Sequence, residues 1–188
     1  MMLPLFRRRS DGATIHALYG AIVAQARSSV FYAAYGVPDT VQGRFDLIVL
    51  HLVLLLGRLD GADDAGRRLG QHLFDAFCRD LDDNLREMGV GDLAVPKRMR
   101  RFGEAFYGRQ AAYQAAFVAA DQGELEKALG RNIFHLAGGK AADAGEGAAR
   151  LAHYARVARR QLDAQEADSL LRGEVVFPRP EAFAHAWE

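Results

Sequence analysis

Two long amphipathic segments meet across residues 85–99, and this junction constrains the fold more than any other feature of the chain. Apolar side chains recur at spacings of three and four before the junction, which indicates a helix over about residues 64–88. Gly89 is expected to end that helix with a left-handed backbone, and Pro96 to open the next one, where a missing N–H costs little. The segment therefore predicts a helical hairpin. The stripe before the turn consists of Leu69, Leu73, Phe77, Leu81, Leu85 and Met88.

The rest of the chain has the same helical period, and strand-like alternation is confined to residues 175–177. Residues 45–56 are almost entirely apolar, which is typical of a helix that others surround. Asp39 as N-cap with Gln42 three residues later forms a capping box before it. The pattern predicts an all-α fold, a single compact helical domain of about six helices around a central apolar helix. Residues 1–13 are expected to be a flexible N-terminus, residues 14–175 the domain, and residues 176–188 a loosely attached tail.

Net charge, cysteine content and the length of the apolar runs exclude several classes of protein. Lys and Arg number 24 and Asp and Glu number 24, so the chain lacks the basic excess of a dedicated nucleic-acid binder, and no specific nucleic-acid partner is expected. A single cysteine, Cys78, allows no intrachain disulfide and indicates a reducing compartment. The longest apolar run is shorter than the ~20 residues of a membrane-spanning helix. These features predict a cytoplasmic protein.

Four cations stand in the first turns of the second hairpin helix, at the positive end of its dipole, where each is unfavourable by roughly 0.3–1 kcal/mol. Two explanations stay open, each for about half of the charges. The cations either pair with the acidic end of the preceding helix or contact an anionic partner such as an acidic peptide or a membrane surface. The cations are Lys97, Arg98, Arg100 and Arg101, and the acidic residues are Asp80, Asp82, Asp83 and Glu87.

Tyr107 lies off the apolar stripe of the second hairpin helix, which runs through Phe102, Phe106 and Tyr113. Together with Arg100 and Arg109 it is expected to edge a groove. An apolar groove rimmed by cations suits a hydrophobic client segment with acidic flanks. Tyr107 and Arg109 therefore join the basic residues as candidate client-binding or partner-binding residues.

An enzyme is the competing interpretation, because the Asp-rich helix 75–87 resembles the metal–diphosphate motif of isoprenoid synthases. Arg86 stands where that motif needs its last carboxylate, and no second metal motif is present. Pairing of Asp75 with Arg79 and of Asp82 with Arg86 is the simpler account. The histidines have no ligand spacing, and His51 is interpreted as a core residue. The chain is expected to be no enzyme and to bind no metal or cofactor, with an isoprenoid or lipid-processing enzyme as the alternative.

Several motifs, in order, resemble the ubiquinol–cytochrome c chaperone family, and the resemblance covers roughly residues 14–175. The hairpin turn is the most specific of them, and the remaining motifs flank it. The structural signature residues are Pro38, Asp80, Gly89, Gly91, Asp92 and Pro96, within the segments 35–40, 44–46, 73–80, 85–99 and 104–109.

The resemblance implies an assembly chaperone that binds newly made cytochrome b and assists biogenesis of ubiquinol–cytochrome c reductase. The Ala-, Gly- and Arg-rich composition of this chain indicates a bacterial member of the family. The small accessory partner and the ribosome contact of mitochondrial relatives are left open for this chain. The implied location is the cytoplasm, with peripheral contact to the inner membrane.

Overall fold

The computed structural model describes the backbone of residues 3–119, 121, 123–135 and 142–184, and their side chains except those of residues 3–11 and 142–144. Within these residues the chain forms eight α-helices, one 3₁₀ helix and no strand, so the predicted all-α fold is confirmed. The α-helices are α1 Leu3–Ala26, α2 Val30–Ala33, α3 Val41–Asp60, α4 Asp64–Glu87, α5 Val95–Val118, α6 Gly123–Asn132, α7 Ala142–Asp163 and α8 Ala167–Leu171, and the 3₁₀ helix is Pro180–Phe183.

Helix α3 is the central helix, as the apolar run predicts. Eleven of its 20 residues are buried, among them all of residues 49–55. Helices α1, α4, α5 and α7 pack around it. Because these neighbours cover α3 on several sides, its sequence needs almost no polar face.

The N-cap of α3 is Thr40, and the predicted capping box of Asp39 and Gln42 is wrong. Thr40 has extended backbone, and its hydroxyl accepts a hydrogen bond from the Gly43 N–H at 3.1 Å. The Asp39 carboxylate instead accepts from Arg44 Nε at 2.7 Å. Asp and Thr are both common N-cap residues. Because the helix begins one residue later than predicted, the hydroxyl of Thr40 rather than the carboxylate of Asp39 reaches the free N–H groups of the first turn.

The structure has more elements than the six predicted helices. The short helices α2 and α8 and the 3₁₀ helix are additions, and α1 begins at Leu3 rather than at residue 14. Segments of four or five residues are too short to show a helical period in sequence, which explains the additions. The flexibility expected for residues 1–13 stays a prediction.

Residues 176–184 are attached firmly, and the prediction of a loose tail is wrong for them. Phe177 and Pro180 are buried, and the Tyr35 hydroxyl donates to the Pro180 carbonyl at 2.8 Å. The Gln25 side chain donates to the Pro178 carbonyl at 2.9 Å. Proline stops a helix, but extended backbone still offers carbonyl acceptors to side chains of the core. Residues 185–188 of the predicted tail lie outside the described residues.

The predicted hairpin is present between α4 and α5. Gly89 has φ +78°, the left-handed conformation expected of a helix C-terminus. The Gly89 N–H donates to the Arg86 carbonyl at 2.9 Å and the Val90 N–H to the Leu85 carbonyl at 3.0 Å, which satisfies the last turn of α4. Helix α5 begins one residue before Pro96, which lies in its first turn.

Candidate functional site

A groove of about 280 Å³ lies between α4 and α5, next to the C-terminal end of α3. Its apolar part contains three aromatic rings in mutual contact. The centroid of the Phe74 ring lies 4.7 Å from that of Phe106 and 5.8 Å from that of Tyr107. The groove is lined by Leu56, Asp60, Arg67, Gly70, Gln71, Phe74, Phe106, Tyr107, Gln110 and Gln114. It therefore joins an aromatic surface to a border of mostly uncharged polar groups.

Tyr107 lies at the edge of this groove, where the sequence interpretation places it. Its side chain is 59% exposed although it is large and mostly apolar. The Phe106 ring supports it from one side, with the two centroids 5.7 Å apart. An exposed aromatic ring held by neighbouring rings keeps apolar area available for a partner at little conformational cost.

The basic cluster, defined as Lys97, Arg98, Arg100 and Arg101, is exposed to solvent on α5. Arg100 lies 3.7 Å from Glu104 of its own helix, and the other three have no ion pair with any residue that the structure describes. The explanation that the cluster pairs with the acidic end of α4 is therefore wrong for the described ion pairs. Its charges are available to a partner.

The acidic end of α4 has other partners. Asp82 accepts from Arg86 Nε at 2.6 Å, and Arg86 also pairs with Asp92 in the turn. Asp80 accepts from the Tyr19 hydroxyl at 2.8 Å, which connects α4 to α1. Burial and this hydrogen bond raise the pKa of the Tyr19 phenol. Asp80 and Asp82 thus have partners on α1 and at the C-terminal end of α4, and none in the basic cluster among the described ion pairs.

Arg109 does not belong to the groove. Its guanidinium lies 3.0 Å from the Asp46 carboxylate of α3, with the two side chains 16% and 1% exposed. Residues two positions apart on a helix point about 200° away from each other, so Arg109 and Tyr107 occupy opposite faces of α5. Arg109 therefore fastens α5 to α3, and its position does not fit the partner-binding role expected from the sequence.

Asp46 is a buried carboxylate whose polar neighbours sequence reasoning missed. Its Oδ1 accepts from Gln42 Nε2 at 2.9 Å, whereas Oδ2 lies 3.5 Å from His135 Nε2 and has no hydrogen-bond partner among the described residues. Burial raises the pKa of the Asp46 carboxyl, and the positive charge of Arg109 opposes that shift. The one sequence signal was a carboxylate inside an otherwise apolar run.

The signature residues shape the hairpin and the entry to α3. A Cβ on Gly43 would lie 2.1 Å from the Pro38 carbonyl oxygen, so glycine is required where this loop crosses the first turn of α3. Gly91 offers its carbonyl to the Ala94 N–H at 2.7 Å, and Asp92 holds Arg86. These residues fix the frame on which the groove is built and do not line it.

Comparison with known proteins identifies the family. The model of the family described as Ubiquinol-cytochrome C chaperone matches residues 33–177. The chain belongs to this family. It is a family of assembly chaperones for ubiquinol–cytochrome c reductase, as the sequence motifs predict.

Curated relatives and a solved structure agree with this assignment. The chain is 26% identical over 161 residues to the ubiquinol-cytochrome-c reductase complex assembly factor 1 of Xenopus laevis, covering 85% of this chain and 78% of that protein. It is also 26% identical over 159 residues to the Mus musculus factor, of which it covers 52%. The crystal structure of the Cbp3 homolog from Brucella abortus superimposes with a TM-score of 0.84 at 38% identity, covering 96% of this chain and 98% of that one.

The geometry of α4 does not favour the alternative of an isoprenoid or lipid-processing enzyme. The predicted pair of Asp82 and Arg86 is confirmed, which occupies one carboxylate of the Asp-rich motif. The predicted pair of Asp75 and Arg79 is wrong, because Arg79 donates to the Asp75 carbonyl while Gln71 donates to its carboxylate. No group of three potential metal ligands converges within the described parts of the chain. None of the described helices has the length and apolarity that crossing a bilayer requires.

Proposed function

We propose that this chaperone binds newly made cytochrome b through the groove between α4 and α5 and releases it to the assembling reductase. The observation that carries the proposal is the aromatic groove with Tyr107 at its edge, on a member of an assembly-chaperone family. A chaperone for a membrane protein needs an apolar surface that stays exposed in water. The ring of Tyr107, supported by Phe74 and Phe106, provides one.

The volume of the groove limits how much of a client segment can bind in it. At about 280 Å³ it is below the usual range of sites that enclose a whole ligand, so it holds one or two large client side chains rather than a complete helix. The rest of the client segment then lies along the exposed face of α5. This is the mode in which an amphipathic or apolar segment anchors in a shallow groove by a few side chains.

The polar border favours release. The amide groups of Gln71, Gln110 and Gln114 surround the aromatic rings and can exchange hydrogen bonds between the client backbone and water. Apolar contact contributes roughly 25 cal/mol per Å² of buried area, so a small groove gives modest affinity. A modest affinity lets larger subunit interfaces in the assembling complex displace the chaperone.

The test is capture of cytochrome b from detergent-solubilised membranes by tagged chaperone. Tyr107→Ala should lower capture at least several-fold, because it removes the exposed ring without opening the core. Val41→Ala is the matched control, since Val41 is 82% exposed and lies outside the groove. Equal capture by Tyr107→Ala and wild type would reject the groove as the client site, and no enrichment by the wild type would reject cytochrome b as the client.

We also propose that the chaperone works at the membrane surface. Its proposed client is a membrane protein, and Arg100 of the basic cluster lies seven residues before Tyr107, on the same face of α5. Lys97, Arg98 and Arg101 have no described ion pair that would neutralise them, so their charge is available to anionic headgroups.

A further inference from the structure

The end of the α4–α5 hairpin extends beyond the main core. The last buried side chain of α4 is Phe77, ten residues before the helix ends at Glu87. Ten residues of helix span about 15 Å. On the other side of the turn, Val95 is buried locally but is not part of the core cluster, which α5 enters only at Phe102 and Phe106. The hairpin end is therefore a projection and not part of the packed body.

The hairpin tip, defined as residues 88–94, exposes large apolar side chains. Leu93 is 98% exposed and Met88 is 74% exposed. Packing against the core does not account for an apolar side chain at Met88, because the last buried residue of α4 is Phe77. Two large apolar side chains at the end of a projection indicate a surface that is covered in the working state.

Positive charge accompanies this apolar tip. Residues 88–101 contain the four cations of the basic cluster and one carboxylate, that of Asp92, a net charge of +3 in a chain whose total net charge is zero. Arg86 pairs with Asp92 and with Asp82. The remaining carboxylates nearby, Asp83 and Glu87, belong to α4, so the positive charge is concentrated on the α5 side of the tip.

We propose that the hairpin tip inserts into the interface of an anionic lipid bilayer, with Leu93 and Met88 among the acyl chains and the basic cluster at the phosphates. The inference rests on the proposed function, because a chaperone that binds a membrane protein has to work at the bilayer surface. Leu93 lies in the turn two residues before α5 begins, and Lys97 lies in the first turn of that helix. Apolar groups enter a bilayer interface by roughly 5–10 Å, so cations that follow the apolar tip closely in the chain can stay at the phosphates.

The shape of the surface favours lipid over a protein or nucleic-acid partner. A bound peptide needs a concave surface, and the groove at Tyr107 already provides that. A phosphodiester backbone binds cations but offers no apolar surface to Leu93 and Met88, whereas a bilayer interface binds both apolar and cationic groups. Tyr107 lies ten residues after Lys97, about 15 Å along α5, which holds the groove above the headgroups.

The experiment measures flotation of the purified full chain with vesicles of phosphatidylcholine alone or with 30% phosphatidylglycerol. Wild type should float with the anionic vesicles and at least tenfold less with the neutral ones. Leu93→Glu and the double change Arg98→Glu with Arg101→Glu should each lower flotation at least tenfold. Val118→Glu is the matched control, because Val118 is 77% exposed at the other end of α5 and should leave flotation unchanged.

Absence of wild-type flotation, an equal loss in Val118→Glu, or full flotation of Leu93→Glu would each overturn the inference. Loss of cytochrome b capture in detergent by Leu93→Glu, with flotation intact, would show that the tip binds protein instead. The two proposals fail separately. Tyr107→Ala should keep vesicle flotation, and a wild-type chain that floats but captures no cytochrome b would reject the client and leave the lipid contact standing.

Discussion

The hydroxyl of Tyr154 donates a hydrogen bond to Nε2 of His51, with the two atoms 2.9 Å apart in the centre of the molecule. The direction follows from the other ring nitrogen, since Nδ1 lies 2.8 Å from the Leu47 carbonyl, which can only accept. The Tyr154 oxygen in turn accepts from Gln25 Nε2, which also donates to the Pro178 carbonyl, both at 2.9 Å. One hydrogen-bonded chain thus joins α3, α7, α1 and the C-terminal segment.

The neutral state of His51 makes stability depend on pH. Burial lowers the pKa of His51 from 6.5 to about 4, so the unfolded chain binds this proton more readily than the folded chain. Stability is therefore fully present above pH 6.5 and is lost as the pH falls toward 4. Between pH 7.5 and 5 the free energy of unfolding should fall by about 2 kcal/mol from this residue alone.

Urea unfolding at both pH values checks this expectation. His51→Gln keeps a donor and an acceptor but cannot titrate, so its loss between pH 7.5 and 5 should be smaller by that amount. If wild type and His51→Gln lose the same free energy, another group accounts for the acid sensitivity.

The second prediction separates the interior arginine from the exposed one. Arg109→Ala leaves the Asp46 carboxylate buried without its cation and should cost about 3 kcal/mol or more. Arg100→Ala removes only an exposed contact to Glu104 and should cost less than about 1 kcal/mol. Adding Asp46→Asn to Arg109→Ala should recover part of the loss, because no buried charge then remains. Chemical denaturation of the four chains measures this, and similar costs for the two arginines would contradict it.

The third prediction concerns the turn. Gly89 has φ +78° with open space around its Cβ position, so Gly89→Ala should cost roughly 1–2 kcal/mol through backbone strain alone. Gly91→Ala is the control, since Gly91 also has open space but no positive φ. Thermal melts by circular dichroism compare the two. Equal midpoints would mean that the left-handed backbone at Gly89 is not required.

The fourth prediction tests the attachment of the C-terminal segment. A chain ending at Val175 loses the buried side chain of Phe177 and the carbonyls that bond Tyr35 and Gln25. Compared with a chain ending at Ala184, it should be less stable by at least about 2 kcal/mol, the contribution of one buried phenylalanine. The comparison isolates residues 176–184. Coincident unfolding curves for the two truncations would show that these residues do not support the fold.

Local patterns in the sequence determined the helices and the turn. The predicted stripe is buried at Leu69, Leu73 and Phe77, and the left-handed backbone at Gly89 is confirmed, because both depend on residues within one or two helical turns. The stripe is wrong at its end, where Met88 is exposed. The family followed from the same turn and its flanking motifs, and residues 33–177 match it. The exposed position of Tyr107 could also be predicted from the sequence, because it depends only on where the residue lies relative to the apolar stripe of its own helix.

Only the tertiary structure decided which charges far apart in the sequence meet. Asp46 and Arg109 stand 63 positions apart, and their pairing depends on how α3 and α5 are rotated against each other. The same holds for the C-terminal segment, whose carbonyls find donors on α1 and in the segment after α2. A helix period shows which face of a helix is apolar, but not which distant polar group will satisfy a buried charge. That choice follows from burial, since a buried charge or carbonyl without a partner is costly and the packed chain must supply one.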